Sequence, residues 1–138
     1  MTSEARPPFP PPVPTEDNQP FWDALREGRL VAQECAECAH LVHPPRPMCP
    51  ECGSFEKGWR EMSGRGEVYS YVVTHQAIHP SFSGHTPYAT ALVRLEEGPL
   101  LTTNLTDIAH DEIAIGMPVQ VEFVAIGDGI TLPLFRRA

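Results

Sequence analysis

Four cysteines, Cys35, Cys38, Cys49 and Cys52, fall within the stretch "CAECAHLVHPPRPMCPECG" in the pattern C-x2-C-x10-C-x2-C. Thiols at this spacing suit three chemistries: dithiol exchange, a catalytic metal, or a closed structural metal site. A redox dithiol wants one Cys-x-x-Cys at a helix start inside a βαβ unit, and no such pattern surrounds these residues. A catalytic zinc keeps one coordination position open, and four thiolates leave none. The spacing therefore predicts a closed tetrahedral site with Cys35, Cys38, Cys49 and Cys52 as ligands. Zinc is the expected ion and iron its rival, because both accept four tetrahedral thiolates. His40 and His43 lie inside the loop and could each replace a ligand, but four sulfurs already suffice. Pro50 sets the second knuckle and Gly53 permits positive φ just after it. The first knuckle has Ala39 at the corresponding place.

A second cluster is "HQAIHPSFSGHTPY", which carries His75, His79 and His85 around Ser81 and Ser83. A serine–histidine pair needs a group to orient the base and donors for an oxyanion. The stretch has no carboxylate, and neither serine sits in a Gly-x-Ser-x-Gly elbow. It reads as a polar loop, with ligand or partner contact as the alternative, and no catalytic residue is assigned in the chain.

These groups need elements to hold them. Residues 1–18 include "RPPFPPPVP", a flexible arm that favours polyproline II and offers Phe9 and Val13 for burial against a partner. Residues 19–29 follow as a short helix, with Asp17 or Asn18 as its cap, Pro20 in its first turn and Gly28 as its stop. Phe21, Trp22 and Leu25 share one face of it. Either that face packs within the chain, or Phe21 and Trp22 contact another subunit. The ribbon occupies 30–62. From 63 to 138 the pattern changes to strands: "GEVYSYVVTHQAI", "PYATALVRLEEG", "LLTTNLTD", then after the polar connection "IAHDEIAIGM", "PVQVEFVAIGDG" and "ITLPLF". Five strands with one longer connection after the third predict a small OB-type barrel. The fold class is thus mainly β: a helix, a four-cysteine ribbon and a five-stranded barrel.

The formal charge is −8, and a dication held by four thiolates would bring it to about −10. Lys57 is the one lysine beside nine arginines. Such a balance opposes general nucleic-acid binding, which depends on basic residues displacing counterions. Single-stranded nucleic acid is the alternative reading, since ribbons and OB-folds both serve there. It would need aromatic platforms interleaved with cations, and after Tyr69 and Tyr71 no Lys or Arg follows until Arg94. No run of about 18 apolar residues spans a membrane. The N-terminal stretch has no apolar signal-peptide core, so a cytoplasmic, reducing location is expected.

The order of "FWDALREGRL", "HPPRPMCPECG", "GRGEVYSY", "PYATALVRLEEGPLLTTNL", "IGMPVQVEF" and "LPLFR" closely resembles the zinc-ribbon/OB-fold proteins of domain-of-unknown-function family thirty-five, over residues 19–137. The resemblance implies a rubredoxin-like ribbon with the four cysteines as its ligands and an acyl-CoA-associated OB-fold. It also implies a non-catalytic accessory subunit in a hetero-oligomer, docked on a thiolase-like aldolase, thiolase or synthase, or on a MaoC-like hydratase. Such a subunit would help form the partner's acyl-CoA channel in lipid or steroid side-chain degradation. Where CoA is bound its phosphates want bidentate cations, and Arg46, Arg60, Arg65 and Arg94 are the candidates.

Overall fold

The computed structural model describes residues 11–138. Residues 1–10 of the proline-rich arm, Phe9 among them, lie outside the described residues. The first helix, α1 (Gln19–Arg26), has Pro20 in its opening turn. Asn18 stands at the N-cap, but its side chain does not cap the helix; Oδ1 instead accepts from the Thr15 N–H at 2.6 Å. The helix stops where Gly28 adopts φ 77°, with Gly28 N–H bonding Leu25 O and Arg29 N–H bonding Ala24 O. That pair of bonds is the Schellman arrangement, which glycine enters without a Cβ penalty.

Next come β1 (Val31–Cys35), β2 (Leu41–Val42) and β3 (Lys57–Glu61), forming an antiparallel sheet in the order β2-β1-β3. Gln33 faces Val42 on one side and Trp59 on the other. Ser63 and Gly64 then lead into β4 (Arg65–Thr74), β5 (Tyr88–Leu95), β6 (Leu100–Asn104), β7 (Pro118–Gly127) and β8 (Ile130–Arg137), a five-stranded antiparallel sheet in the order β6-β5-β4-β7-β8.

The sheet curls because β4 serves two partners unequally. It pairs with β5 from Gly66 to Thr74, with a bulge between Val68 and Ser70, but with β7 only over Arg65–Glu67. Gly66 sits so close under the Arg94 carbonyl that a Cβ there would collide with it. On the far side the edge strands meet through one parallel bridge, Leu105 to Phe135, and Thr106 N–H donates to Phe135 O at 2.8 Å. This is the OB order with its last seam held by a bridge and not by a ladder, so the barrel is not closed. The β7–β8 turn has positive φ at Asp128 and Gly129, the pattern of a tight hairpin whose twist matches its strands. The connection after β6, where an OB barrel often carries a helix, holds a single 3₁₀ turn at His110–Glu112.

One contiguous apolar core joins all three parts. Phe21, Ala24 and Leu25 of α1, Leu30, Val31 and Ala32 at the root of the ribbon, Met62 of the junction and Val68, Val93, Val119 and Phe135 of the barrel belong to it. Phe135, Val68, Val93 and Val119 are fully excluded from solvent. The ribbon is therefore rooted in the barrel's core at one end, and only its knuckle end stands free. Among the described residues, no helix is long and apolar enough to cross a membrane.

Candidate metal centre and apolar groove

The free end of the ribbon is two copies of one turn. In the first, Ala39 N–H donates to Cys35 O and Cys35 N–H to His40 O. In the second, Gly53 N–H donates to Cys49 O and Cys49 N–H to Ser54 O. Each turn needs one residue with positive φ: Gly53 at 78° and Ala39 at 64°. Alanine at the first position folds into the glycine conformation at a cost of about 1–2 kcal/mol.

The paired turns bring the four sulfurs within 4.8 Å of one another. The Cys35–Cys52 sulfurs are 3.5 Å apart and the Cys38–Cys49 sulfurs 3.7 Å. A tetrahedron of metal–sulfur bonds of about 2.3 Å has edges of about 3.8 Å, whereas a disulfide would bring two sulfurs to about 2 Å. The donor set therefore fits a tetrahedral thiolate-bound metal. Backbone N–H groups also point at sulfur: Cys38 N–H toward Cys35 Sγ at 3.5 Å and Glu51 N–H toward Cys49 Sγ at 3.4 Å. The Cys38 and Glu37 amides draw the Cys35 thiol down to about 6. At Cys52 the Ser54 amide pulls the same way. It is outweighed by Cys35, burial, Cys38 and Cys49, which push Cys52 up to about 12. Thiols held up in this way lose their protons together only to a bound cation, which is what a thiolate metal site supplies.

Behind the knuckles, a residue that the sequence reading passed over fixes the ribbon loop. Gln33 is 1% exposed, and its amide spans one peptide unit reciprocally: Nε2 donates to Arg46 O at 2.8 Å and Oε1 accepts from Arg46 N–H at 3.1 Å. A signal was present, since Gln33 alternates in phase with Val31 and Cys35 on the buried side of β1. Lys57 Nζ adds a bond to Pro47 O at 3.2 Å.

The loop so held forms one wall of an apolar groove of about 380 Å³. Phe21 and Trp22 of α1, His43 and Pro45 of the loop, and Leu101 and Leu134 from the two edges of the barrel seam line it. The two expected contact residues of the helix part company here. Phe21 is 5% exposed and belongs to the chain's own core, packing edge-on against Trp22 and tilted against His43, both at 5.2 Å between ring centroids. Trp22 stays partly exposed over the groove. Burial holds His43 down to about 4, so the ring is neutral at pH 7.

The four arginines singled out for phosphate do not converge. Arg65 and Arg94 flank one recess of about 420 Å³ that also presents Glu67 and Glu96. Arg60 lines a different recess of about 680 Å³ beside His40 and Glu97, and Arg46 is exposed on the ribbon loop. Arg65 pairs with Glu96 at 3.0 Å and Arg60 with Glu34 at 3.5 Å. The Arg94 guanidinium lies 4.7 Å over the Tyr69 ring, covering a face that a nucleic-acid base would need for stacking. His75, His79 and His85 are exposed on the β4–β5 connection, which Phe82 anchors by stacking on Tyr88 at 4.7 Å.

A rubredoxin-like four-cysteine ribbon rooted in an OB-type barrel defines the class of the molecule. Family models match both halves: the rubredoxin-like zinc ribbon domain of ChsH2 over residues 22–58, and the C-terminal OB-fold domain of ChsH2 over residues 59–124. The chain belongs to the DUF35 family. It is 41% identical over 103 residues to a "DUF35 domain-containing scaffold protein" of Pyrococcus furiosus, covering 73% of this chain and 74% of that protein. It superposes with a TM-score of 0.85 and 48% identity on a chain of the solved structure titled "Ltp2-ChsH2(DUF35) aldolase", covering 91% of this chain and 98% of that one. It is also 48% identical over 129 residues to the "Probable enoyl-CoA hydratase alpha subunit" of Thermomonospora curvata, covering 94% of this chain but only 40% of the length of that relative.

Proposed function

We propose that this chain is a non-catalytic accessory subunit that docks on an acyl-CoA enzyme of thiolase fold and helps form that enzyme's acyl-CoA channel. The observation that carries the reading is the near-complete superposition on the DUF35 chain of the aldolase structure. The hydratase-subunit names of relatives support an acyl-CoA partner, with a MaoC-like hydratase as the other partner class, and the scaffold name supports a non-catalytic role. The metal is zinc, held by Cys35, Cys38, Cys49 and Cys52, and its task is structural: it closes the knuckle end, and the ribbon's packed root transmits that order to the loop beside the groove. Trp22 contacts the partner at the groove rim. Arg65 and Arg94, which share a recess, are the strongest of the four arginines for a CoA phosphate, and Arg46 and Arg60 are more peripheral. The acyl group belongs to lipid or steroid side-chain degradation, and the complex works in the cytoplasm.

Co-expression with a thiolase-fold acyl-CoA enzyme from the same genome, followed by size-exclusion chromatography and turnover assays, tests this. A complex that elutes together and is more active than the enzyme alone is the expected result. Separate elution, with an enzyme fully active by itself, would overturn it. Within the complex, Arg65→Ala with Arg94→Ala should raise KM for acyl-CoA and leave assembly intact.

A further inference from the structure

The ribbon sheet runs β2-β1-β3, so β3 is an edge strand, with no strand on its outer side among the described residues. Its register against β1, from Val31–Glu61 to Cys35–Lys57, fixes which backbone groups point outward. In an antiparallel ladder every second residue exchanges its N–H and C=O with the neighbouring strand, and the residues between turn theirs away. Ala36 N–H donates to Glu56 O at 2.9 Å and Met62 N–H to Leu30 O at 2.7 Å. In that phase Gly58 and Arg60 face β1. Lys57, Trp59 and Glu61 present their N–H and C=O groups to the outside, where none has a hydrogen-bond partner among the described residues. Charges on an edge usually keep other strands off, but the order of signs in "KGWRE" does the opposite for one partner. Laid antiparallel on a second copy about a two-fold axis at Trp59, Lys57 falls opposite Glu61 at both ends and Trp59 opposite Trp59. Every outward residue then sits in a hydrogen-bonded pair. Opposite charges and aromatic pairs directly across two strands are favourable. Both charges are available for it. Lys57 Nζ bonds only a carbonyl, Pro47 O, and Arg29, which lies in electrostatic range of Glu61, bonds Glu27 at 2.6 Å.

We propose that β3 is the seam of a symmetric dimer, in which two ribbons join edge to edge and their three-stranded sheets become one continuous antiparallel sheet. The proposal goes beyond the accessory-subunit reading and stands without it, since only copies of this chain take part. A short edge buries little surface, so the dimer is weak and forms at roughly tens to hundreds of micromolar chain.

Sedimentation equilibrium of the full metal-loaded chain over that range should show monomer and dimer in exchange. Amide exchange should show the phase of the seam: Trp59 and Glu61 N–H gain protection as concentration rises, whereas Gly58 and Arg60 N–H are protected throughout by β1. Lys57→Glu and Glu61→Lys each set like charges opposite one another at both ends of the seam, and each should weaken the dimer about tenfold. An equimolar mixture of the two variants should restore it, because the mixed pair again opposes unlike charges. Lys57→Glu also gives up the bond to Pro47 O; Glu61→Lys gives up no such bond, so its loss of dimer reads the seam alone. A monomer throughout the range, a dimer whose Trp59 N–H stays unprotected, or a mixture no tighter than either variant by itself would overturn the proposal. Protection of Trp59 N–H that appears only when an acyl-CoA enzyme is added would give the edge to a strand of that enzyme, and would overturn it as well.

Discussion

Replacing Gln33 with leucine removes two hydrogen bonds while keeping side-chain volume close. In the native ribbon the Gln33 amide satisfies both the N–H and the C=O of Arg46, at 3.1 and 2.8 Å, from a position 1% exposed. Were the Arg46 peptide to stay where it is, two backbone groups would be left without partners, at about 1–3 kcal/mol each. Arg46 is exposed, however, so the loop can swing toward water and rehydrate its peptide. The loss then falls to that of two net hydrogen bonds, about 1–3 kcal/mol together. Leucine also avoids the cost of burying an amide, which keeps the expected destabilisation near the middle of that range, about 2 kcal/mol. The loss is local, because Gln33 pins the segment that carries His43, Pro44 and Pro45. Urea unfolding of the metal-loaded protein gives the magnitude, and amide exchange gives the place: Arg46 N–H should lose its protection while Val68 and Phe135 keep theirs. Unchanged stability together with a still-protected Arg46 N–H would refute the reasoning.

Other outcomes follow from the same physics. Chelating the metal should release the knuckle turns, 36–40 and 49–54, while the shared core persists. Thiolate metal sites contribute about 10–16 kcal/mol to folding in isolated fingers, but here β1 is rooted in the barrel; one cooperative loss of all protected amides would contradict this. Ala39→Gly should stabilise the loaded ribbon by about 0.5–1 kcal/mol, the left-handed cost recovered less the entropy of glycine, read as slower metal transfer to a chelator. His43 is neutral in the fold and depressed from 6.5 to about 4 by burial, so unfolding takes up a proton between those values. Its contribution is full above pH 6.5 and lost as pH falls toward 4, by up to about 3 kcal/mol. Stability measured over that window should decline less in His43→Phe than in the parent.

What could be read in advance was whatever a short window of sequence encodes. The four cysteines, with Pro50 and Gly53, specify a pair of turns, and the alternation in "PVQVEF" specifies a strand, because both depend on neighbours a few residues apart. The helix stop at Gly28 was equally local. The role of Phe21 was not, since a helix face looks the same whether it meets its own core or a partner; only packing against His43 and the barrel decides. The arginines illustrate the same limit. Arg65 and Arg94 come together because Gly66 pairs with Leu95 and Glu67 with Arg94 in one register, a fact spread over 30 residues of chain. Asn18 has the right side chain for a cap, yet the preceding turn at Thr15 takes its oxygen first.

Because Leu30, Val31 and Ala32 belong to the same core as Val93 and Phe135, the metal site is carried at the end of a strand, β1, whose root is anchored in the barrel. Cobalt(II) accepts the same tetrahedral thiolate donors and is paramagnetic. Substituted there, it would shift the resonances of nearby nuclei according to their distance and direction from one known point. The site thus doubles as a surveying mark: with it, the pose of this subunit on whatever it binds could be triangulated in solution, without attaching any label to the protein.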